Sequence, residues 1–281
     1  MNSIAFIDTE IETKSGKILD IGGIKDNGSS FHSTSITDFT TFLKGAEFIC
    51  GHNILKHDIK YIGSAVNNAG VHLSNVIDTL FLSPLLFPTK PYHALLKDDK
   101  LQTEDANNPL NDSIKAKDLF FDEVAAFQQC DEELKEIFYL LLSNKKEFHS
   151  FFHFINYTSK NTNLEKLIRE KFHAEICDQA DLTHLILEYS IELAYCLALI
   201  NCRNRYSITP RWVLKQFTDT ERVMNTLRNK PCLSGCVYCN RALDIHKGLK
   251  TYFGFDSYRT YAGEHLQENA VKAAVEDKSL L

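Results

Sequence analysis

Two acidic residues, Asp8 and Glu10, directly follow a short apolar run near the start of the chain, residues 4–7. A run of such β-forming residues predicts a strand, and side chains two positions apart in a strand point to the same side. Carboxylates held side by side repel each other unless a cation lies between them, and Mg²⁺ and Mn²⁺ are cations that suit oxygen ligands. The spacing therefore predicts a metal site, although the same pattern is also typical of a strand that simply ends at the surface.

Neighbouring segments supply the elements that would position this pair. A second apolar run, residues 18–24, follows the polar turn 13–17, and we expect the two runs to form a β-hairpin. Residues 48–53 indicate a buried strand that ends at Gly51, and the helical spacing that follows carries Asp58. A helix that begins beside the first strand would aim the Asp58 carboxylate at Asp8 and Glu10. At the next strand-to-helix junction, we expect Asp78 to cap the helix.

The Asp-x-Glu motif before an Ile- and Gly-rich hairpin partner, followed by Gly-His-Asn at 51–53 and His-Asp at 57–58, resembles the DEDD 3′ to 5′ exonucleases. This family is the DnaQ-like branch of the RNase H-like fold. The resemblance implies an α/β domain over residues 1–127, with a mixed sheet flanked by helices. It implies that Asp58 is the third metal carboxylate and that two Mg²⁺ or Mn²⁺ ions hydrolyse phosphodiester bonds. Nucleoside 5′-monophosphates would leave the 3′ end of DNA, with a single strand as the expected substrate.

The third motif of the family leaves a choice of residues. In the DEDDh branch a histidine lies five positions before the last metal-binding Asp, and His93 and Asp98 have that spacing. Asp112 has the better context, near a helix start with small and apolar residues at helical spacing, but Asn107 occupies the position five before it. Histidine can accept a proton from water near neutral pH, because its ordinary pKa is about 6.5. We favour Asp112 as ligand over Asp98, and His93 as general base, with a structural role for His93 as the alternative.

The composition of the chain limits the size of its core and the kinds of partner that it can bind. A chain of 281 residues with 44% hydrophobic content can bury one substantial core, or one core and a smaller unit. It contains no run of about 18 apolar residues and no signal-peptide pattern at its start, so we expect a cytoplasmic protein without a membrane partner. The formal charge of −6 gives no global attraction to nucleic acid. Polynucleotide binding would need a local basic patch or bridging cations.

Beyond the nuclease segment the pattern becomes helical. Residues 128–228 predict a helical connector, with one long apolar helix over 182–200. Residues 229–247 contain Cys232, Cys236, Cys239 and His246, which are four N/S ligands of the kind that a closed tetrahedral Zn²⁺ site uses. We therefore predict a small zinc-binding module, with Cys202 as a possible replacement for His246. The remaining cysteines lie in apolar patterns typical of a core.

The last segment, residues 248–281, resembles the entry segment of the RecQ-family DNA helicases. In that family an aromatic residue, an arginine and a glutamine contact adenine, and the match here is to Phe255, Arg259 and Gln267. The sequence has no Gly-x-x-x-x-Gly-Lys-[Ser/Thr] loop, so we expect ATP to be a partner only of a longer chain and expect no ATPase activity. The two resemblances together imply the amino-terminal part of an exonuclease-helicase fusion in DNA repair or recombination. The alternative is a catalytically weak or inactive module that binds nucleic acid for the helicase.

Overall fold

The computed structural model describes residues 2–12, 14–90, 92–95, 108–161, 163–202, 207–242 and 244–276. The chain divides into two compact units. Unit 1 comprises Met1–Lys160 with Asn204–Pro210, and unit 2 comprises Asn161–Arg203 with Arg211–Leu281. Unit 1 contains the segment 1–127 to which the family resemblance applies, and it continues beyond that segment. Among the helices that the structure describes, none combines the length and the apolar character that a membrane span requires.

Unit 1 is built on one mixed sheet of five strands, in the order β3-β2-β1-β4-β5. Strands β1 and β2 and strands β2 and β3 pair antiparallel, whereas β4 pairs parallel with both β1 and β5. The bounds of the five strands are Ile4–Ile11, Ile18–Lys25, Ser30–Ser33, Phe48–Gly51 and Val76–Asp78. The expected hairpin is present as β1 and β2, and the prediction of an α/β unit with a mixed sheet flanked by helices is confirmed.

Helices cover both faces of this sheet. In chain order α1 to α6 are Ile36–Leu43, Ile59–Asn68, Thr79–Leu86, Pro109–Gln129, Glu132–Leu142 and His149–Phe154, with a 3-10 turn at Leu73–Asn75. Side chains alternate along β1. Ala5 and Ile7 are buried in a cluster with residues of α1 and α2, and Phe6 packs on the opposite face against Phe120 of α4, with the ring centroids 5.7 Å apart. Strand β1 is therefore the buried central strand between two helical layers.

Helix α4 lies along the sheet through a stripe of buried residues three or four positions apart, as the spacing in the sequence predicted. The stripe consists of Pro109, Ser113, Ala116, Phe120, Glu123 and Phe127. Its last residue, Phe127, packs edge-to-face against Phe151 and Phe152 of α6, with ring centroids 5.6 and 5.7 Å away. These aromatic contacts join residues beyond 127 to the core of unit 1.

Unit 2 is helical in the part of it that the structure describes. Helices α7 to α14 are Leu164–Lys171, Leu182–Glu188, Ser190–Asn201, Arg211–Gln216, Thr220–Met224, Val237–Ala242, Ile245–Phe253 and Leu266–Glu276, with a π-helical turn at Asn225–Asn229. The predicted single helix over 182–200 is two helices, because the backbone of Tyr189 leaves the helical conformation at φ −131° and ψ 40°. Helix α9 is buried along most of its length.

Candidate metal centre

Three carboxylates come together where the first strand ends. Oxygen atoms of Asp8, Glu10 and Asp112 all lie within 4.8 Å of one another, and each of the three side chains is half-buried. Asp8 and Glu10 are in β1, and Asp112 is in the first turn of α4. Residues more than a hundred positions apart in the chain thus form one group that could hold a metal ion.

The position of Asp8 and Glu10 follows from the strand pairing. Strand β4 pairs with β1 only over Ile4, Ala5 and Phe6, so both acidic residues lie beyond the last paired residue of β4. On the other side β2 continues, and Asp8 is opposite Gly22 while Glu10 is opposite Asp20. Because cross-strand partners share a face, Asp20 lies on the same side as the group. Its carboxylate is 2.6 Å from Nε2 of His32.

Asp112 is positioned by the start of α4. The Asn108 side chain caps this helix by accepting hydrogen bonds from the backbone N–H of Leu110 and of Asn111, and Pro109 takes a first-turn position where no N–H is required. A carboxylate in the first turn is also stabilised by the helix dipole. Local sequence therefore fixes both where the helix begins and where Asp112 lies on it.

Gly22 allows the helix to reach the strand. A Cβ atom at this position would lie 2.0 Å from the backbone N of Leu110 and 2.1 Å from the backbone C of Pro109, distances that no side chain can occupy. Since Gly22 is the partner of Asp8 across the strands, its missing side chain is what lets the start of α4 approach the carboxylates. A glycine within a predicted strand is a known signal for such an approach.

The chemistry of the three ligands fits a small divalent cation. Mg²⁺ binds oxygen at about 2.1 Å in octahedral geometry, so its ligand oxygens lie between about 3 and 4 Å apart. The mutual limit of 4.8 Å for the group is consistent with this range. A cation also removes the repulsion between carboxylates at this distance. The group can therefore hold Mg²⁺ or Mn²⁺.

Asp58 does not join this group. Its carboxylate is buried, with 2% of the residue exposed, and Oδ1 accepts hydrogen bonds from the backbone N–H of Thr9 at 3.0 Å and from Thr9 Oγ1 at 2.6 Å. Burial raises the pKa of Asp58, and the bonds from Thr9 oppose that rise. Thr9 points to the face of β1 opposite Asp8 and Glu10. The expectation that α2 aims Asp58 at them therefore does not hold, and Asp58 instead ties the start of α2 to β1.

His93 lies in a separate cavity. This cavity of about 450 Å³ is also lined by Lys90, Lys115, Asp118 and Asp122. Nδ1 of His93 is 2.8 Å from Ser83 Oγ, and the ring also hydrogen-bonds to the backbone of Lys90. Burial, followed by the charge of Lys90, lowers the pKa of His93 to about 4, so the ring is neutral at pH 7. The structure does not bring His93 into the carboxylate group, and the alternatives Asp98 and Asn107 lie outside the described residues.

Two buried acids were not predicted as a pair. Asp78 caps α3 as expected by accepting from Leu80 N, and it also accepts from the backbone N–H groups of Asn53 and Leu55. Burial raises the pKa of Asp78 to about 7. Glu123 of α4 is completely buried, and neither of its oxygens has a hydrogen-bond partner among the described residues. Burial, then the charge of Asp78, raises its pKa well above the usual value.

Four thiols form a second group, in unit 2. The Sγ atoms of Cys177, Cys232, Cys236 and Cys239 all lie within 4.8 Å of one another. The spacing in the sequence predicted His246 as the fourth ligand, and this prediction is wrong. The fourth member of the group is Cys177. His246 lies on α13 with Nε2 at 3.1 Å from Glu268 Oε1. The alternative Cys202 also lies elsewhere, with its Sγ at 3.1 Å from the carbonyl oxygen of Leu199. Cys177 was missed because it is an isolated cysteine in an apolar segment.

The predicted nucleotide-binding residues lie near the end of the described chain. The backbone N–H of Arg259 donates to Gln267 Oε1 at 3.1 Å, so these two residues are in contact. Phe255 follows Gly254, the residue that ends α13 in a left-handed conformation at φ 73°, and 59% of Phe255 is exposed.

Comparison of the chain with protein-family models, with curated proteins and with solved structures finds no match to any of them. Function is therefore inferred from the residues and their geometry.

Proposed function

We propose that unit 1 is a metal-dependent 3′ to 5′ exonuclease with an RNase H-like, DnaQ-like fold. The observation that carries the proposal is the group of Asp8, Glu10 and Asp112, whose oxygens lie within 4.8 Å of one another. The five-stranded mixed sheet, with two of these residues on its central strand, supports the fold assignment. The substrate DNA, its 3′ end and the single-stranded preference come from the resemblance of the sequence motifs.

As the family resemblance implies, the three carboxylates would hold two Mg²⁺ or Mn²⁺ ions. When bound, such ions act as a Lewis acid on the phosphodiester and lower the pKa of a bound water. The chain itself contributes preorganisation, because a paired strand and a capped helix start hold three like charges close together against their repulsion. His93 is proposed as the base that accepts the proton from water. Its bonds to Ser83 and Lys90 would have to rearrange for that role.

A second function is favoured by the positions of Asp58 and His93. Asp58 is occupied by Thr9 on the other face of β1, and His93 lies in its own cavity. A group of three carboxylates that His93 does not adjoin suits a unit that binds a nucleic-acid end through a bridging cation without rapid hydrolysis. In this form the unit would serve as a binding or targeting module for a helicase, with Phe255, Arg259 and Gln267 belonging to the helicase entry segment.

The test is Mn²⁺-dependent release of mononucleotides from single-stranded DNA labelled at its 3′ end, with 5′-labelled DNA to establish direction. The variants are Asp8→Asn, Asp112→Asn and His93→Ala. Glu133→Gln, which removes an exposed charge on α5, is the matched control. We expect Asp8→Asn and Asp112→Asn each to reduce release at least about 100-fold and the control to retain the wild-type rate.

Binding of Mn²⁺ is measured in parallel by calorimetry, so that the two functions can be told apart. Mn²⁺ binding that depends on Asp8, together with DNA binding but no release, would support the binding module. Absence of both Mn²⁺ binding and release would reject the assignment of a metal centre. Loss of mononucleotide release in His93→Ala, with Mn²⁺ affinity unchanged from the wild type, would identify His93 as the base.

We also propose that the thiol group of unit 2 holds structural Zn²⁺.

A further inference from the structure

The four thiols of unit 2 have the geometry of a closed metal site. One of them, Cys177, was not among the ligands that the sequence predicted. We propose that Cys177, Cys232, Cys236 and Cys239 bind one Zn²⁺ ion in a tetrahedral site of four thiolates, and that this ion fastens the turn before α8 to the segment that begins α12. The inference rests on the zinc proposal made above and deepens it by naming the ligands and the segments that they join. It is independent of the nuclease proposal, since it concerns other residues and another metal.

Distances between the sulfur atoms support this ligand set. Zn–S bonds of about 2.3 Å in a tetrahedron place the sulfur atoms about 3.8 Å apart. The Sγ atoms of Cys236 and Cys177 are 4.0 Å apart, and all four lie within the 4.8 Å limit. A disulfide would require about 2.05 Å, and all eight cysteines of the chain are free thiols. The arrangement is therefore that of metal ligands and not of a disulfide pair.

Backbone N–H groups point at the sulfur atoms. Cys236 N donates to Cys232 Sγ at 3.3 Å, and Cys232 N donates to Cys239 Sγ at 3.4 Å. From the other segment, Asp178 N donates to Cys236 Sγ at 3.5 Å. Donors of this kind stabilise the negative charge of thiolates and orient them for a metal. The turn between Cys232 and Cys236 contains Gly235 at φ +62°, a conformation that glycine adopts without strain.

The two segments are also held together around the thiols. Cys177 N donates to the carbonyl oxygen of Leu227 at 2.8 Å, and Arg228 forms an ion pair with Glu175 at 3.0 Å. The hydroxyl of Tyr238 donates to the carbonyl oxygen of Arg228 at 3.0 Å. Both segments therefore have contacts that position their cysteines before a metal binds, as an orienting outer shell does.

Coordination would close a long loop of chain. Cys177 and Cys236 are 59 positions apart, and the intervening chain includes α8, α9, α10 and α11. A metal that links such distant residues stabilises the folded chain, because ligands that are brought together only on folding make binding part of the folding free energy. We therefore expect removal of the metal to loosen residues 172–180 and 231–242 before it affects the sheet of unit 1.

The experiment measures metal content and ligand identity on the full chain. Protein purified with Zn²⁺ is dialysed, and zinc is measured by elemental analysis in the wild type, Cys177→Ser, His246→Ala and Cys202→Ser. We expect one zinc per chain in the wild type and in the His246 and Cys202 variants. In Cys177→Ser we expect at least a 10-fold loss of affinity, judged by competition with a chromogenic chelator.

A spectrum of the wild type protects the test against a variant that fails to fold. Co²⁺ replaces Zn²⁺ and gives sulfur-to-metal charge-transfer bands whose intensity rises with the number of thiolate ligands, so four thiolates are distinguished from three. Loss of zinc in His246→Ala together with retention in Cys177→Ser would overturn the ligand set. Failure of the wild type to take up either metal, or recovery of these cysteines as disulfides, would overturn the site.

Discussion

Gly22→Ala would test the idea that the missing side chain at position 22 makes the metal centre possible. The added Cβ would lie 2.0 Å from the backbone N of Leu110. To reach 3.4 Å, where ordinary contact begins, the start of α4 must retreat by about 1.4 Å. Metal–ligand distances tolerate only about 0.2 Å. Asp112, in the same helical turn, would therefore be drawn out of ligand distance from the ion that we propose for Asp8 and Glu10.

We expect Gly22→Ala to lower the Mn²⁺ affinity at least about 10-fold and the free energy of unfolding by about 1–3 kcal/mol, the usual cost of overpacking. Calorimetric titration with Mn²⁺ measures the first quantity, and urea denaturation in a chelating buffer measures the second. Both are independent of nuclease activity, so the result does not depend on the proposed reaction.

Gly63→Ala in α2 is the matched control, because its added Cβ would lie 3.8 Å from the nearest atom, in Ile59. Because that distance is an ordinary van der Waals contact, alanine should raise the free energy of unfolding by up to about 1 kcal/mol and leave Mn²⁺ affinity unchanged. If Gly22→Ala binds Mn²⁺ as tightly as Gly63→Ala does, the approach of α4 to β2 does not position Asp112 for a metal.

Three further predictions concern stability. Asp58→Ala leaves the N–H and hydroxyl of Thr9 buried without their acceptor, so the free energy of unfolding should fall by about 2 kcal/mol. Mn²⁺ affinity should change less than about twofold, and a loss of about 10-fold on titration would make Asp58 a ligand. Phe127→Ala should cost about 3–5 kcal/mol in urea denaturation, and a cost below about 1 kcal/mol would contradict the aromatic packing of residues beyond 127 on unit 1. Because the folded chain holds protons on Asp78 and Glu123 more tightly than the unfolded chain does, the stability that these two acids contribute should be present below about pH 4 and decline as pH rises towards about 7. For Asp78 alone, a pKa of about 7 in place of the ordinary 3.8 corresponds to about 4 kcal/mol. Urea midpoints from about pH 4 to about pH 7 for the wild type and Glu123→Gln check this contribution. The variant should lose less stability over that range, and an equal change in both proteins would contradict the raised pKa of Glu123.

The sequence predicted those parts of the site that depend on local periodicity. Asp8 and Glu10 share a side because a strand repeats every two residues, and Asp112 lies at a helix start because the helical spacing after it is regular. Neither inference required knowledge of distant contacts. The hairpin of β1 and β2 was predictable for the same reason.

Other parts depend on contacts between distant residues, which periodicity does not contain. The direction of Asp58 is set by Thr9 and by a loop in which Asn53 adopts φ +62°, held by the buried Asp78. Cys177 joins the other thiols only through tertiary folding. The extent of unit 1 beyond residue 127 depends on the rings of Phe151 and Phe152. The helical pattern of the sequence had placed these two residues in the predicted connector, residues 128–228.

The two outermost strands have a consequence for association between molecules. Strand β3 spans the four residues Ser30–Ser33, and β5 spans the three residues Val76–Asp78. Each edge of the sheet therefore offers few backbone groups for pairing with a strand of another molecule. Short rims are a known protection against edge-to-edge pairing and against the growth of continuous β-structure. The longer and more apolar β1 and β2 are enclosed between them. High concentrations of folded unit 1 should therefore resist fibril formation, and aggregation should require prior unfolding of this sheet.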